Sequence, residues 1–168
     1  MSEPLFHSPG DDVVFLDRLV GLPCPKCQGD LVVASASGLK IVGCQQCRGL
    51  LLQKNVMAGL VRSRRAQHLS GDGVSQPFDQ SELRQTSFCV ACQAEMETHA
   101  YGGPGSVVID SCAHCGLAWL DADELQRIVE APGNRQCSAG DLAGLDGHML
   151  DSDPQAWATF IAAFVRSN

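Results

Sequence analysis

A chain of 168 residues with 45% hydrophobic, 18% charged and 5% aromatic positions has the composition of one or two small folded domains, which excludes a disordered tail. No apolar run approaches the ~20 residues that a bilayer span needs, and Met1-Ser2-Glu3-Pro4-Leu5 shows no basic region followed by an apolar stretch. Neither a membrane span nor a secretory leader is expected, and the expected compartment is the cytoplasm. The formal charge of −7 divides unevenly, because residues 21–70 hold seven Lys/Arg against one Asp while residues 71–168 hold four Arg against fourteen Asp/Glu.

In chain order, residues 1–21 form an amino-terminal segment in which Val13-Val14-Phe15-Leu16 and Leu19-Val20 predict a strand or a short helix covering the first cysteine-bearing unit. That unit spans 22–67 and begins with the C-x-x-C pair Cys24/Cys27. Leu31-Val32-Val33-Ala34-Ser35, a Ser37-Gly38 turn and Leu39-Lys40-Ile41-Val42 then predict a β-hairpin, and a second pair, Cys44/Cys47, comes after it. Val56, Met57, Leu60 and Val61 have helical spacing, but Gln53 and Val56 stand where a capping pair belongs and Gly59 weakens the middle.

Residues 68–87, rich in Ser, Gly, Asp and Gln and containing Pro77, read as a surface connection. A second unit over 88–131 repeats the plan with Cys89/Cys92, a hairpin over 95–110 turning at Gly102-Gly103-Pro104-Gly105, and Cys112/Cys115. Asp121 and Glu124 form a D-x-x-E capping box, Leu125, Ile128 and Val129 make an apolar face, and Pro132-Gly133 stop the helix. Residues 132–168 are a loop and an amphipathic helix. Asp153 is its N-cap, Pro154 its first residue, and Trp157, Phe160, Ile161 and Phe164 form one stripe that covers the second unit, forms an oligomer or docks on a partner.

The cysteines carry the strongest signal. Eight of the nine fall in four C-x-x-C pairs, and Cys137 is left over. Cys24 to Cys89 and Cys27 to Cys92 are 65 residues apart, and Cys44 to Cys112 and Cys47 to Cys115 are 68, which marks an internal duplication with three extra residues in the second copy. Gaps of sixteen residues between Cys27 and Cys44 and nineteen between Cys92 and Cys112 suit four-thiolate zinc sites. The predicted ligand sets are Cys24, Cys27, Cys44, Cys47 and Cys89, Cys92, Cys112, Cys115, each closed within its own copy and each holding one structural Zn²⁺. An iron site of the same ligand set and a pair of redox-active dithiols are the competing readings.

Cys112-Ala113-His114-Cys115-Gly116-Leu117-Ala118-Trp119-Leu120-Asp121-Ala122-Asp123-Glu124-Leu125 closely resembles the C-x-x-C-G-G-x-W-L-D-x-x-E-L signature of the bacterial zinc-ribbon family named after the zinc-binding domain of transcription factor IIB. Cys24-Pro25-Lys26-Cys27-Gln28-Gly29-Asp30-Leu31 is similar to the same family's first knuckle. The first copy departs at Leu51 for tryptophan, Gln53 for aspartate and Val56 for glutamate, and the second at Leu117 for the second glycine. The resemblance implies two tandem zinc ribbons; with the helical spacing after each ribbon and in the carboxy-terminal segment, the expected fold is α+β, two ribbons of hairpin plus helix and a carboxy-terminal helix.

For partners, the favoured expectation is a non-catalytic adaptor in contact with another protein. The alternative is a nucleic-acid-binding transcriptional accessory protein using Lys40, Arg48, Lys54, Arg62, Arg64 and Arg65, against which stand the acidic whole-molecule field and the absence of Phe, Tyr and Trp between residues 16 and 77. No H-E-x-x-H, G-x-S-x-G, Walker loop or G-x-G-x-x-G is present, so no catalytic residue is assigned. His114, inside the last knuckle, is expected at most to hydrogen-bond near the thiolates.

Overall fold

The computed structural model describes residues 13–37, 39–67, 80–101 and 107–131; the carboxy-terminal helix expected after residue 132, Cys137 and the turn at 102–105 lie outside the described residues. Seven strands are present among them: β1 Val14–Pro23, β2 Asp30–Ala36, β3 Leu39–Cys44, β4 Leu50–Gln53, β5 Glu97–Ala100, β6 Val108–Ser111 and β7 Leu117–Leu120. Helix α1 covers Lys54–Gln67 and α2 covers Glu124–Glu130, and Glu82–Arg84 form a 3₁₀ turn. All seven strands join one antiparallel sheet in the order β1-β2-β3-β4-β7-β6-β5.

The two hairpins form where alternation and turn residues predict them. The amino-terminal segment, whose sequence suits either strand or helix, is a strand on β2, with register shifts between Phe15 and Leu19 and between Leu19 and Pro23. The sequence reading does not predict the strands after the second knuckles. Leu50-Leu51-Leu52 and Leu117-Ala118-Trp119-Leu120 are unbroken apolar runs, and such runs suit a strand buried on both faces. Leu50, Leu52, Ala118 and Leu120 pack with the helices, while Leu51, Leu117 and Trp119 pack with the cysteines. The sheet thus separates a helical layer from the layer holding the thiols.

The β4–β7 ladder joins the two copies into one sheet, with Leu50↔Leu120, Leu51↔Trp119, Leu52↔Ala118 and Gln53↔Leu117. This register is symmetric about the Leu51–Trp119 pair, because Leu50 corresponds to Ala118 and Leu52 to Leu120 under the 68-residue offset. The copies are therefore related by a local two-fold axis.

The helices reverse the ranking of their start signals. Helix α1, with no acidic residue in its first turn, runs fourteen residues, whereas α2 runs seven. Burial of Val56, Met57, Leu60 and Val61 at about 1.5–3 kcal/mol each outweighs a missing cap of about 1 kcal/mol and Gly59 of about 1 kcal/mol. The first N–H of α1, on Lys54, donates to the Gly116 carbonyl of the other copy at 2.9 Å.

At α2 only one limb of the expected capping box forms. Glu124 Oε2 accepts from the Asp121 N–H at 2.6 Å, while Asp121 Oδ1 accepts from the Trp119 indole Nε1 at 2.8 Å. The aspartate of the D-x-x-E motif is thus drawn from the helix end to the tryptophan. Asp123, in the left-handed region at φ 65°, occupies the N-cap position with no side-chain cap bond.

Candidate metal centres

Each C-x-x-C pair is a knuckle of the same build. The first cysteine's N–H donates across the turn, Cys24 to Gly29 O at 2.7 Å, Cys44 to Gly49 O at 2.9 Å, Cys89 to Ala94 O at 2.9 Å and Cys112 to Leu117 O at 2.8 Å. The residue after the second cysteine takes a positive φ in every knuckle: Gln28 at 63°, Arg48 at 61°, Gln93 at 59° and Gly116 at 65°. This left-handed residue turns the chain back into the next strand, and in three knuckles a side chain bears the strain that glycine avoids in the fourth.

The structure brings together the eight cysteines in two groups of four, Cys24, Cys27, Cys44, Cys47 and Cys89, Cys92, Cys112, Cys115, with all sulfurs of a group within 4.8 Å of one another. In each knuckle the first cysteine is buried and the second partly exposed. Cys24 and Cys47 sulfurs are 3.5 Å apart, as are those of Cys27 and Cys44, and Cys92 and Cys112 are 3.6 Å apart. A tetrahedron with Zn–S bonds of about 2.3 Å has edges of about 3.8 Å, so the sulfurs surround a cation of that size. Backbone N–H groups of Lys26 and Cys115 reach the sulfurs of Cys24 and Cys112 at 3.4 and 3.3 Å.

Electrostatics agree with the geometry. Burial pushes the thiols of Cys24, Cys47 and Cys115 up, and that of Cys89 up to about 11, whereas the Gly29 N–H holds Cys27 below its ordinary value. A divalent cation in place of the protons lets sulfurs packed this closely carry their negative charge together. The donor sets fit Zn²⁺, which supplies two positive charges and a fixed tetrahedral geometry. The protein has two zinc sites of four cysteines each.

Between the β5–β6 hairpin and α2 of the second copy lies a polar cleft of about 160 Å³ that no sequence pattern predicts. Lys26, from the first knuckle of the first copy, extends to the second copy, where Nζ is 2.8 Å from Asp110 Oδ2 and 3.7 Å from Asp121 Oδ2. Desolvation opposes the charge on Lys26, but Asp110, Asp121 and Glu124 outweigh it and raise its pKa. Glu124, buried beside Asp121 and Glu82, has its carboxyl raised to about 8, chiefly by desolvation. A lone lysine within a knuckle carries no signal of its reach.

Of the six cations expected to meet phosphates, two are engaged inside the fold. Arg64 is buried with Nε 3.3 Å from Ser37 Oγ. Arg65 donates to the Ile128 carbonyl through Nη2 at 2.6 Å and Nε at 3.1 Å, closing the last turn of α2. Arg48, with its guanidinium 5.8 Å from the Phe15 ring centre, Lys54 and Arg62 are exposed; the side chain of Lys40 lies outside the described residues. His114 is exposed on its knuckle. No helix among the described residues is long and apolar enough to cross a membrane.

A family model described as transcription factor zinc-finger, a zinc ribbon of the TFIIB type, matches residues 23–62 and again residues 88–131, together half of the chain. No curated protein and no solved structure matches it. With two matched ribbons, each built around its own four-cysteine site, the chain belongs to the transcription factor zinc-finger family of TFIIB-type zinc ribbons.

Proposed function

We propose that the protein is a non-catalytic adaptor whose two zinc sites hold a rigid double ribbon for contact with another protein, with 22–67 and 88–131 as the ribbons, 68–87 as their connection and 1–21 and 132–168 as flanking segments. The observation that carries this reading is the closed donor set. Four sulfurs per cation leave no coordination position for water or substrate, so the metal shapes the fold and performs no turnover. The nucleic-acid alternative is weakened by the engagement of Arg64 and Arg65 within the fold and by the charge of −7.

The test is a titration of the zinc-loaded chain with duplex and single-stranded DNA across a salt series, paired with cross-linking of the full chain in cells. The adaptor reading expects weak, non-selective DNA binding that vanishes at physiological salt and cross-links to a discrete protein. Nanomolar, sequence-dependent duplex binding under those conditions overturns it in favour of the transcriptional reading.

A further inference from the structure

The duplication supplies an internal control, because the inner pairs of the β4–β7 ladder, Leu50↔Leu120 and Leu52↔Ala118, exchange about Leu51↔Trp119 when one copy is mapped onto the other. The 68-residue offset maps Gly49 onto Leu117, Leu51 onto Trp119 and Val42 onto Asp110, and the 65-residue offset of the first knuckles maps Lys26 onto Ala91. The ladders obey this mapping, since Val42 pairs with Leu51 as Asp110 pairs with Trp119.

On one side of the axis Gly49 lies against the Trp119 indole, so close that a Cβ added at Gly49 would stand 2.2 Å from Cζ2 and 2.8 Å from Cε2. Its mirror is Leu117 and Leu51, two medium side chains in one buried cluster. A second pair behaves alike. Lys26 reaches across to Asp110, which is 4% exposed, and the mirror is Ala91 and Val42, both buried in that same cluster. Corresponding positions of the two copies thus carry Gly and Trp on one side of the axis and Leu and Leu on the other, and likewise Lys and Asp against Ala and Val.

We infer that the β4–β7 seam is a pairing interface that fits the first ribbon to the second and rejects a second copy of either. Second-with-second pairing sets Leu117 in the space of Gly49, against the Trp119 ring, and Ala91 against the buried Asp110 carboxylate. First-with-first pairing leaves a void between Gly49 and Leu51 and turns Lys26 toward Val42. Steric overlap, a void and an unpaired buried charge are the devices by which an interface refuses the wrong partner. This inference goes beyond the adaptor reading and is independent of it.

Single substitutions in the full zinc-loaded chain recreate each forbidden contact. Gly49→Leu reproduces the steric overlap and Trp119→Leu the void; Lys26→Ala leaves Asp110 without its ammonium, and Asp110→Val removes the nearer of the two carboxylates paired with Lys26. The doubles Gly49→Leu/Trp119→Leu and Lys26→Ala/Asp110→Val recreate the combinations already present on the mirror side. Each single is expected to lower the thermal midpoint, by about 5 °C or more for the first three, and each double to be more stable than either of its singles, with two zinc ions per chain throughout. Should Gly49→Leu fail to fold, Gly49→Ala with and without Trp119→Leu makes the same comparison. Doubles no more stable than their weaker single, or singles that melt like the unsubstituted chain, overturn the inference.

Discussion

Leu51 and Trp119 occupy the same position in the two copies and stand directly opposite each other where β4 meets β7. The family's tryptophan at both places would bring two indoles to one point on the local axis. Leucine in the first copy and glycine at position 49 leave that space to Trp119, which is 1% exposed, with its indole N–H bonded to Asp121. Leu51 and Leu117, which depart from the family signature, thus correspond across the axis to Trp119 and Gly49, which keep it.

Because the seam joins the cores, the sites are not independent in stability even though their ligands are separate. Cys24→Ser should lose one zinc ion and also lower the melting midpoint of the second ribbon, through Lys26 and its reach to Asp110. Elemental analysis with amide exchange of residues 107–120 checks this. A second ribbon as protected as in the unsubstituted chain would show that the shared sheet transmits nothing.

The left-handed residues of the knuckles predict a stabilising change. Gln28 is exposed at φ 63°, and glycine there removes strain that outweighs its added unfolded-state entropy. Gln28→Gly should gain about 0.5–1 kcal/mol, while Gly116→Ala should lose a comparable amount, both read by thermal melting of the zinc-loaded protein.

Arg65 closes the end of α2 through the Ile128 carbonyl, and a hydrogen bond from a charged donor is worth about 1.5–3 kcal/mol. Arg65→Ala should cost that order of stability, whereas Arg62→Ala, at an exposed position of the same helix, should change it by less than about 0.5 kcal/mol. Any loss of DNA affinity in Arg65→Ala must therefore be compared at matched folded fraction.

Glu124 predicts a pH dependence. Its carboxyl is raised to about 8 by desolvation first and by Asp121 and Glu82, so between the ordinary carboxylate range and pH 8 the unfolded chain has released a proton that the folded chain keeps. Stability from this group is full at acid pH and declines as pH rises through 8. Glu124→Gln, which keeps an acceptor for the Asp121 N–H, should flatten the decline between pH 6 and 9 in denaturant melts; an unchanged slope would mean that Glu124 is already ionised in the folded protein.

Much of the metal site was legible because cysteine spacing is imposed by coordination geometry, which is local and unambiguous. The hairpins were legible because alternation and turn residues act within a few positions. The strand character of Leu50-Leu51-Leu52 and Leu117-Ala118-Trp119-Leu120 is masked in the sequence by the helical spacing just beyond them, although an unbroken apolar run suits a strand covered on both faces. Both expected helices form, and α1 is the longer despite its weaker start signal, because capping is worth about 1 kcal/mol and tertiary burial several times that. Lys26 and Arg65 act across the seam between copies, a relation that no local pattern contains.

Native mass spectrometry of the intact protein, purified without chelator, reads directly whether one chain holds two closed four-thiolate zinc sites. Two zinc ions per chain are expected, each held by all four cysteines of its set. A chain folded with one zinc ion or none would contradict this expectation.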